Sequence, residues 1–319
     1  MPGAGEVLVQ VKVVALCATD LHIYTGDIST SPPRVMGHEF AGTVEELGEG
    51  VTGFTPGDNV AVNPNPSCGT CERCRANRPN LCQYGGLLGR DADGALREYV
   101  PVPQDLVFKL PPGISFEEGA LAQPLSTVVH GQQWVPISPH DTVVVLGQGA
   151  IGLLHTRLAV LSGAAATIAV ERSPWKLELA RQMGADSVVN AAQGDAVAQV
   201  NALTGGRGAD VVIEAVGIPE TILQSWQMVK HGGRLLQFGI PSAPLPSTSL
   251  YRLYLKEVQV TFPRGLVPGD YPTALALLAD GRIDLKPLIT GEHPLEETAQ
   301  VFHLMEEDPD QVLRALIKF

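Results

Sequence analysis

The sequence predicts an α/β protein in which a doubly wound parallel sheet is flanked in chain order, on both sides, by short-stranded β structure. Three observations predict it. Compact apolar runs alternate with helical patterns between about 125 and 258. Residues 1–112 instead carry short β-branched runs separated by Gly and Pro turns. A glycine loop joins the first apolar run of the middle region to its first helix. The expected division is a discontinuous domain, 1–124 with 259–319, around a central domain, 125–258. At 319 residues the chain is long enough for two cores.

The elements follow in order. "EVLVQVKVVAL", "FAGTVEELG", "DNVAVNPN" and "LREYVPV" read as strands, with turns at "TGFTPGDN" and "RDADGA". "DTVVVLG" is a buried strand, and a helical stretch at 150–162 follows it. "ATIAVE" is the next strand, and "PWKLELARQMGA" is a helix that ends at Gly184. "ADVVIEAVG" and "GGRLLQFGI" are further strands of the same sheet. The pattern then becomes mixed, with "YPTALALLADGRI" as a helix ending at Gly281.

Composition excludes several classes of function. The formal charge is −12, from 22 basic and 34 acidic residues, which argues against nucleic acid or an anionic membrane as partner. The opening "MPGAGEVLVQVKV" lacks the basic and apolar regions of a signal peptide, and no run of about 18 apolar residues occurs. A cytoplasmic protein is expected. There clustered cysteines bind metal or do chemistry more often than they form disulfides.

Four of the five cysteines, Cys68, Cys71, Cys74 and Cys82, stand in "SCGTCERCRANRPNLC". Four thiolates on one short loop can surround zinc tetrahedrally and leave no open position, which is the arrangement of a structural site. An iron–sulfur cluster is the alternative that the same four ligands admit. The fifth cysteine, Cys17, lies in "CATDLH", and "GHE" follows downstream with His38 and Glu39. Cys, His and Glu are all zinc ligands, and three of them plus water make a catalytic site. By residue type alone this trio is weak evidence, since single Cys and His residues usually belong to the core.

"VVVLGQGAIG" places Gly147, Gly149 and Gly152 as G-x-G-x-x-G between a strand and a helix. This is the loop that lets the backbone approach a pyrophosphate at a helix N-terminus. The second strand ends at Glu171, about 20 residues on. A carboxylate there accepts hydrogen bonds from ribose hydroxyls and repels a 2′-phosphate. That favours NAD over NADP, although Arg172 beside it could serve a 2′-phosphate.

Together these features resemble the zinc-containing medium-chain dehydrogenase/reductase family, which includes alcohol, sorbitol and threonine dehydrogenases. The resemblance covers nearly the whole chain. It rests on "GEVLVQVKVVALCATDLH", "GHEFAGTVEELGEGV", "GDNVAV", the four-cysteine lobe, "GQGAIG" and "KPLITGEHPLEETAQVF". It implies a GroES-like β-barrel catalytic domain made from both ends of the chain, a Rossmann domain between them, and an active site in the cleft. By resemblance, Cys17 and His38 match the catalytic zinc ligands, and Glu39 the carboxylate at or just behind the metal. Thr19 and His22 match a proton relay, and Lys176 a basic position near the adenosine ribose. Ala215, Val216, Phe238 and Gly239 match the strand ends that line the nicotinamide. The implied cofactors are one structural zinc, one catalytic zinc and NAD. The implied partners are a small alcohol or polyol and further copies of the chain, as a homodimer or homotetramer.

Two departures stand out. The polyol branch usually has Glu before "PL", where this chain has Gln123. A neutral amide is a poor zinc ligand, so Cys17, His38, Glu39 and water become the expected set, with Gln123 hydrogen-bonded to the water. The family also normally carries roughly 25 residues more before "GEVLV", forming an opening hairpin; a missing hairpin would expose a sheet edge. The expected activity is hydride transfer between a secondary alcohol, polyols first, and NAD. The alternatives are a threonine-type amino-alcohol dehydrogenase and a dinucleotide-binding protein that keeps only the structural zinc.

Overall fold

"EVLVQVKVVA" forms β1 (Glu6–Ala15), whose side chains alternate between half-buried and buried before the strand becomes fully enclosed. The chain continues through α1 (Ala18–Thr25), β2 (Glu39–Leu47), β3 (Asn59–Val62), α2 (Glu72–Arg75), β4 (Tyr99–Pro103), β5 (Val107–Lys109) and α3 (Phe116–Gln132). Next come β6 (Thr142–Leu146), α4 (Ala150–Leu161), β7 (Ala166–Glu171), α5 (Pro174–Gln182), β8 (Ser187–Asn190), α6 (Ala196–Leu203) and β9 (Ala209–Glu214). The middle region ends with α7 (Pro219–Met228), β10 (Val229–Gln237), α8 (Tyr251–Lys256) and β11 (Gln259–Thr261). Then follow α9 (Asp270–Ala279), β12 (Ile289–Pro294), α10 (Thr298–Glu307) and β13 (Arg314–Lys318). The computed structural model describes residues 1–319 and divides them into two units, Met1–Thr127 with Gly265–Phe319, and Val128–Arg264.

The first unit is built around β1. Its sheet runs β12-β13-β1-β2-β3-β5, and β4 also pairs with β1. β4 takes the first half of β1, Glu6–Gln10, and β13 takes the second half, Val13–Ala15. β2 pairs along the whole strand with two register shifts, irregularities that bend a sheet toward closure. The core holds Val7, Val9, Val11, Phe40, Val60, Val100, Phe302 and Ile317. Tyr271 of α9 fastens the returning segment to this sheet. It is fully buried, its hydroxyl donates to the Val62 carbonyl at 3.1 Å, and its ring stacks on Phe108.

The second unit is a six-stranded, all-parallel sheet in the order β8-β7-β6-β9-β10-β11. Chain order reverses between β6 and β9, the doubly wound arrangement in which ligands bind outside the carboxyl ends of the strands. Both faces are covered. Val144 and Leu146 of β6 enter one core, and Val143 and Val145 enter the other. That explains why "TVVVL" reads as a continuous apolar run rather than an alternating one.

Both unit borders fall later than the expected division, at 127/128 instead of 124/125 and at 264/265 instead of 258/259. β11 joins the parallel sheet through Arg234–Leu236, so the central unit extends to Arg264 rather than stopping at 258. A three-residue strand is too short for its periodicity to mark the sheet it joins. No helix is long and apolar enough to cross a membrane.

Candidate active site

Strand register brings the first constellation together. Ala15 pairs with Glu39 on β2 and with Leu316 on β13. Continuing each ladder two residues past Ala15 puts Cys17 beside the Gly37–His38 turn on one side and Arg314 on the other. The ligand atoms of Cys17, His38 and Glu39 all lie within 4.8 Å of one another. Donors around a tetrahedral zinc stand about 3.3–3.8 Å apart, so small side-chain adjustments suffice to close on one ion. His38 and Glu39 are buried and Cys17 is half-buried.

Asp20, with no exposed surface, organises this group. Its Oδ2 accepts from the Cys17 backbone N–H at 3.0 Å, and its Oδ1 accepts from the Gly37 N–H at 3.1 Å. The same Oδ1 lies 3.2 Å from His38 Nδ1. With that nitrogen engaged, Nε2 of His38 is the one left for a metal, the usual division of labour in a metal-binding imidazole.

Arg314 approaches Glu39 from β13. Its Nη2 donates to Glu39 Oε1 at 3.3 Å, and its Nε lies 3.2 Å from Oε2. The Nε–H does not point at that oxygen, so Oε2 and Nε are both buried without a hydrogen bond. Burial pushes the Glu39 carboxyl up, against Arg314 and His38. Burial also works against the guanidinium charge, but Glu39, then Cys17 and Asp20, hold Arg314 above its ordinary value.

The donor types test whether a cation fits here. Cys17, His38 and Glu39 offer a sulfur, an imidazole nitrogen and a carboxylate oxygen to one largely buried space. Burial lowers the affinity of His38 for a proton. Asp20 and Cys17 reverse this and push the imidazole well above its ordinary value. Metal binding releases the protons of its ligands, so a cation here competes with the proton that His38 holds. A buried carboxylate oxygen without a hydrogen bond, an imidazole nitrogen that Asp20 does not engage and a cysteine sulfur are a zinc-type donor set.

The four-cysteine lobe fits the same metal on sharper geometry. All four thiols are free. Their sulfurs stand 3.5 Å (Cys71–Cys74 and Cys68–Cys82), 3.8 Å (Cys71–Cys82) and 3.9 Å (Cys68–Cys74) apart. Disulfide sulfurs stand about 2.05 Å apart. A tetrahedron with Zn–S bonds of about 2.3 Å has edges of about 3.8 Å. Backbone N–H groups of Cys68 and Tyr84 donate to the Cys82 sulfur at 3.3 and 3.4 Å, and the Cys71 N–H donates to Cys68 at 3.3 Å. Amide donors from Thr70 and Cys71 bring the Cys68 thiol down to about 6. Burial, then the sulfurs of Cys71 and Cys82, push Cys74 up to about 11. Crowded thiols with opposite shifts are a set that a shared cation makes uniform.

In the second unit Gly147 has φ +83°, and a Cβ on it would meet Val216 at 2.4 Å. A Cβ on Gly152 would stand 1.8 Å from the Gly147 carbonyl oxygen. Gly149 differs: a Cβ there meets nothing within 4 Å. The protein's own packing does not require that glycine, whereas a pyrophosphate over the N-terminus of α4 does. Gln148 clamps the loop from inside, its side chain bonded to the Val145 carbonyl and the Thr156 hydroxyl. Glu171 accepts from the Gln148 N–H (2.7 Å) through Oε2 and from the Arg172 and Ser173 N–H groups (2.6 and 3.2 Å) through Oε1. It is only half-buried, and a carboxylate oxygen with one partner has a further lone pair for a hydroxyl. Lys176 is buried on α5, with its ammonium 5.7 Å from the Trp175 ring centroid.

Ala215, Val216, Phe238 and Gly239 lie just beyond the carboxyl ends of β9 and β10. Buried Glu214 shapes that rim. Its Oε1 accepts from the Val216 and Gly217 N–H groups at 3.0 and 2.9 Å and from the Thr221 hydroxyl at 2.7 Å.

The structure brings most of the expected residues into these groups, with two qualifications. Thr19 and His22 share α1, three residues apart, but are not hydrogen-bonded to each other. The His22 ring faces Asp27 at 3.1 Å and is exposed. Gln123 is buried on α3 immediately before Pro124, with no recorded bond to Cys17, His38 or Glu39. Sequence reasoning missed Asp20, Arg314, Glu214 and the clamp by Gln148. The available signals were an arginine within the apolar run "LRALI" and acids ending apolar strands.

A β unit with a Cys, His and Glu trio, followed by a parallel sheet with a G-x-G-x-x-G loop, is the arrangement of an oxidoreductase that acts on CH–OH groups, and the comparisons with known proteins agree. Residues 3–112 match the alcohol dehydrogenase GroES-like domain, and residues 150–280 match the zinc-binding dehydrogenase domain. The chain is 32% identical to sorbitol dehydrogenase of Bacillus subtilis over 98% of its own length and 90% of the relative's. It is 35% identical to L-threonine 3-dehydrogenase of Bacillus licheniformis, over 95% and 88%. The solved structure of alcohol dehydrogenase TADH from Thermus sp. ATN1 superposes with a TM-score of 0.91 at 35% identity, covering 100% of this chain and 93% of that one. The chain belongs to the zinc-containing medium-chain dehydrogenase/reductase family.

Proposed function

We propose that the chain is a zinc-dependent, NAD-linked dehydrogenase of secondary alcohols, with polyols as the first substrate class. The observation that carries this reading is the trio Cys17, His38 and Glu39, whose sulfur, nitrogen and oxygen donors lie within 4.8 Å of one another in a largely buried space. In this reading these three hold the catalytic metal, and Cys68, Cys71, Cys74 and Cys82 hold a structural one. When bound, the metal supplies Lewis acidity to the substrate hydroxyl and the dinucleotide accepts the hydride.

The protein's own residues do the rest. Asp20 fixes the His38 ring through Nδ1. Half-buried Thr19 would take the substrate proton, and exposed His22, one turn along α1, would deliver it to solvent. Gly147, Gly149 and Gly152 receive the pyrophosphate. Glu171 takes ribose hydroxyls and disfavours a 2′-phosphate, with Lys176 beside it. Ala215, Val216, Phe238 and Gly239 line the nicotinamide. Gln123 offers no charge, so Cys17, His38 and Glu39 would be the three protein donors to a metal held here. Five free cysteines suit a reducing cytoplasm, and a homodimer or homotetramer follows the family pattern.

An amino-alcohol substrate is the second reading. It is favoured by the threonine dehydrogenase relative, which is as similar to the chain as the sorbitol one. A panel of polyols and threonine, each with NAD and NADP, separates the two. The first experiment counts zinc on protein purified without chelator. About two ions per chain are expected. His38→Ala should lose one ion and all turnover while still binding NAD. A count of one in the unaltered protein would replace the enzyme reading with a dinucleotide-binding role.

A further inference from the structure

The carboxyl end of β10 leads into Phe238, whose backbone is pinned to β9: its N–H donates to the Glu214 carbonyl at 2.9 Å. Its ring has an equally defined seat. On one side lies Gly131 of α3, where an added Cβ would stand 2.6 and 2.8 Å from Phe238 Cε2 and Cδ2. On another lies His155 of α4, with ring centroids 4.5 Å apart and planes at 77°. The same added Cβ would stand 3.5 Å from His155 Cε1, so glycine, imidazole and phenyl ring meet in one place. Gly131 sits within a helix, where glycine is a poor choice for the backbone. What it supplies is room for the ring.

His155 carries a cost where it stands. It is fully buried, and burial keeps the imidazole neutral by bringing its pKa to about 3. The Gln132 amide nitrogen donates to the His155 carbonyl at 2.8 Å and lies 3.2 Å from Nδ1. Nδ1 therefore accepts, and the ring proton belongs on Nε2, which is buried without a hydrogen-bond partner. A leucine of similar volume would leave no polar atom unsatisfied there. It would not supply a flat, polarised edge, which holds an aromatic neighbour in one orientation.

We propose that Gly131 and His155 form a slot that fixes the ring of Phe238, and that through this ring they are positioning residues for the nicotinamide. This rests on the reading of Phe238 as part of the nicotinamide wall. Hydride transfer needs the cofactor ring held at a set distance and angle, so a wall residue with one allowed orientation serves it better than a mobile one. On this account α4 serves the dinucleotide twice, at its N-terminus through the glycine loop and in its second turn through His155.

The test uses binding to the full chain, with NADH and ADP-ribose as probes. ADP-ribose has every group of NADH except the nicotinamide, so the ratio of the two dissociation constants isolates that ring. Gly131→Ala forces the Phe238 ring to yield by most of an ångström, and His155→Leu removes its edge-on partner. Each should weaken NADH about 2- to 10-fold, the range of one directional aromatic contact, and leave ADP-ribose unchanged. In a Phe238→Ala background neither should have a further effect. His155→Leu should also melt no lower than the parent at neutral pH, since the partnerless nitrogen goes with the imidazole. Lower melting with an unchanged ratio would make His155 a purely structural residue and sink the proposal. Equal weakening of both probes would do the same, as would a loss that persists without the Phe238 ring. If Gly131→Ala does not fold, the His155→Leu cycle decides by the same criteria. Phe238→Ala with the parent's ratio would remove this ring from the nicotinamide wall, and the proposal with it, while leaving the dehydrogenase reading in place.

Discussion

Asp20 shows how much one buried carboxylate can organise. It caps the start of α1 at Cys17, braces the turn at Gly37 and orients His38. Asp20→Asn keeps the volume and an acceptor oxygen but removes the charge that favours the bond from His38 Nδ1. Zinc at the Cys17 site should then bind 10–100-fold more weakly, while the ion of the four-cysteine lobe is retained. Equal affinity in the variant and parent would show that Asp20 serves the α1 cap alone. At this scale the sequence was legible wherever chemistry is written in residue type and spacing. Cysteines at 68, 71, 74 and 82 announce themselves, and the family pattern marks Cys17 and His38. Asp20 and Arg314 were not legible. Their roles depend on strand register, and an Asp in the first turn of a helix looks like any helix start.

Among the elements, the loop between β6 and α4 separates two uses of glycine. At Gly152 the chain itself needs a hydrogen, since a Cβ would stand 1.8 Å from the Gly147 oxygen. Gly152→Ala should therefore destabilise the parallel-sheet unit by about 1–3 kcal/mol, the range for overpacking. At Gly149 no neighbour lies within 4 Å. Gly149→Ala should melt within about 0.5 kcal/mol of the parent yet bind NAD at least tenfold more weakly, because only the ligand uses that space. Thermal melts with and without NAD check both, and full NAD affinity in Gly149→Ala would remove this loop as the pyrophosphate seat. The strand–loop–helix order here was readable because three signals coincide over a short stretch. β11 was not readable, because three residues carry no period and its sheet is set by neighbours elsewhere in the chain.

For the molecule as a whole, His155 links stability to pH. It is fully buried in α4, where the Gln132 amide lies 3.2 Å from Nδ1 and the Phe238 ring packs edge-on. Burial brings its pKa from 6.5 down to about 3. Below pH 6.5 the unfolded chain takes up a proton that the folded chain refuses until about pH 3. Stability therefore falls with pH across that window, by at most about 1.4 kcal/mol per unit. Urea midpoints of the parallel-sheet unit, measured at several pH values, should flatten by up to one proton's slope in His155→Gln. Identical slopes in both proteins would rule out His155 as the source.

The pairing of β1 with β13 has a consequence in time. The second unit has every strand it needs once residue 261 has been made, and its residues are contiguous from Val128 to Arg264. The first unit begins with β1 but requires residues 314–318 to occupy the edge beside Val13–Ala15. On the ribosome, therefore, the half of the protein made first is the half completed last. Until then the strand end that leads to Cys17 waits with one flank bare, and the meeting of Glu39 with Arg314 beside Cys17 and His38 is postponed to the closing moments of synthesis.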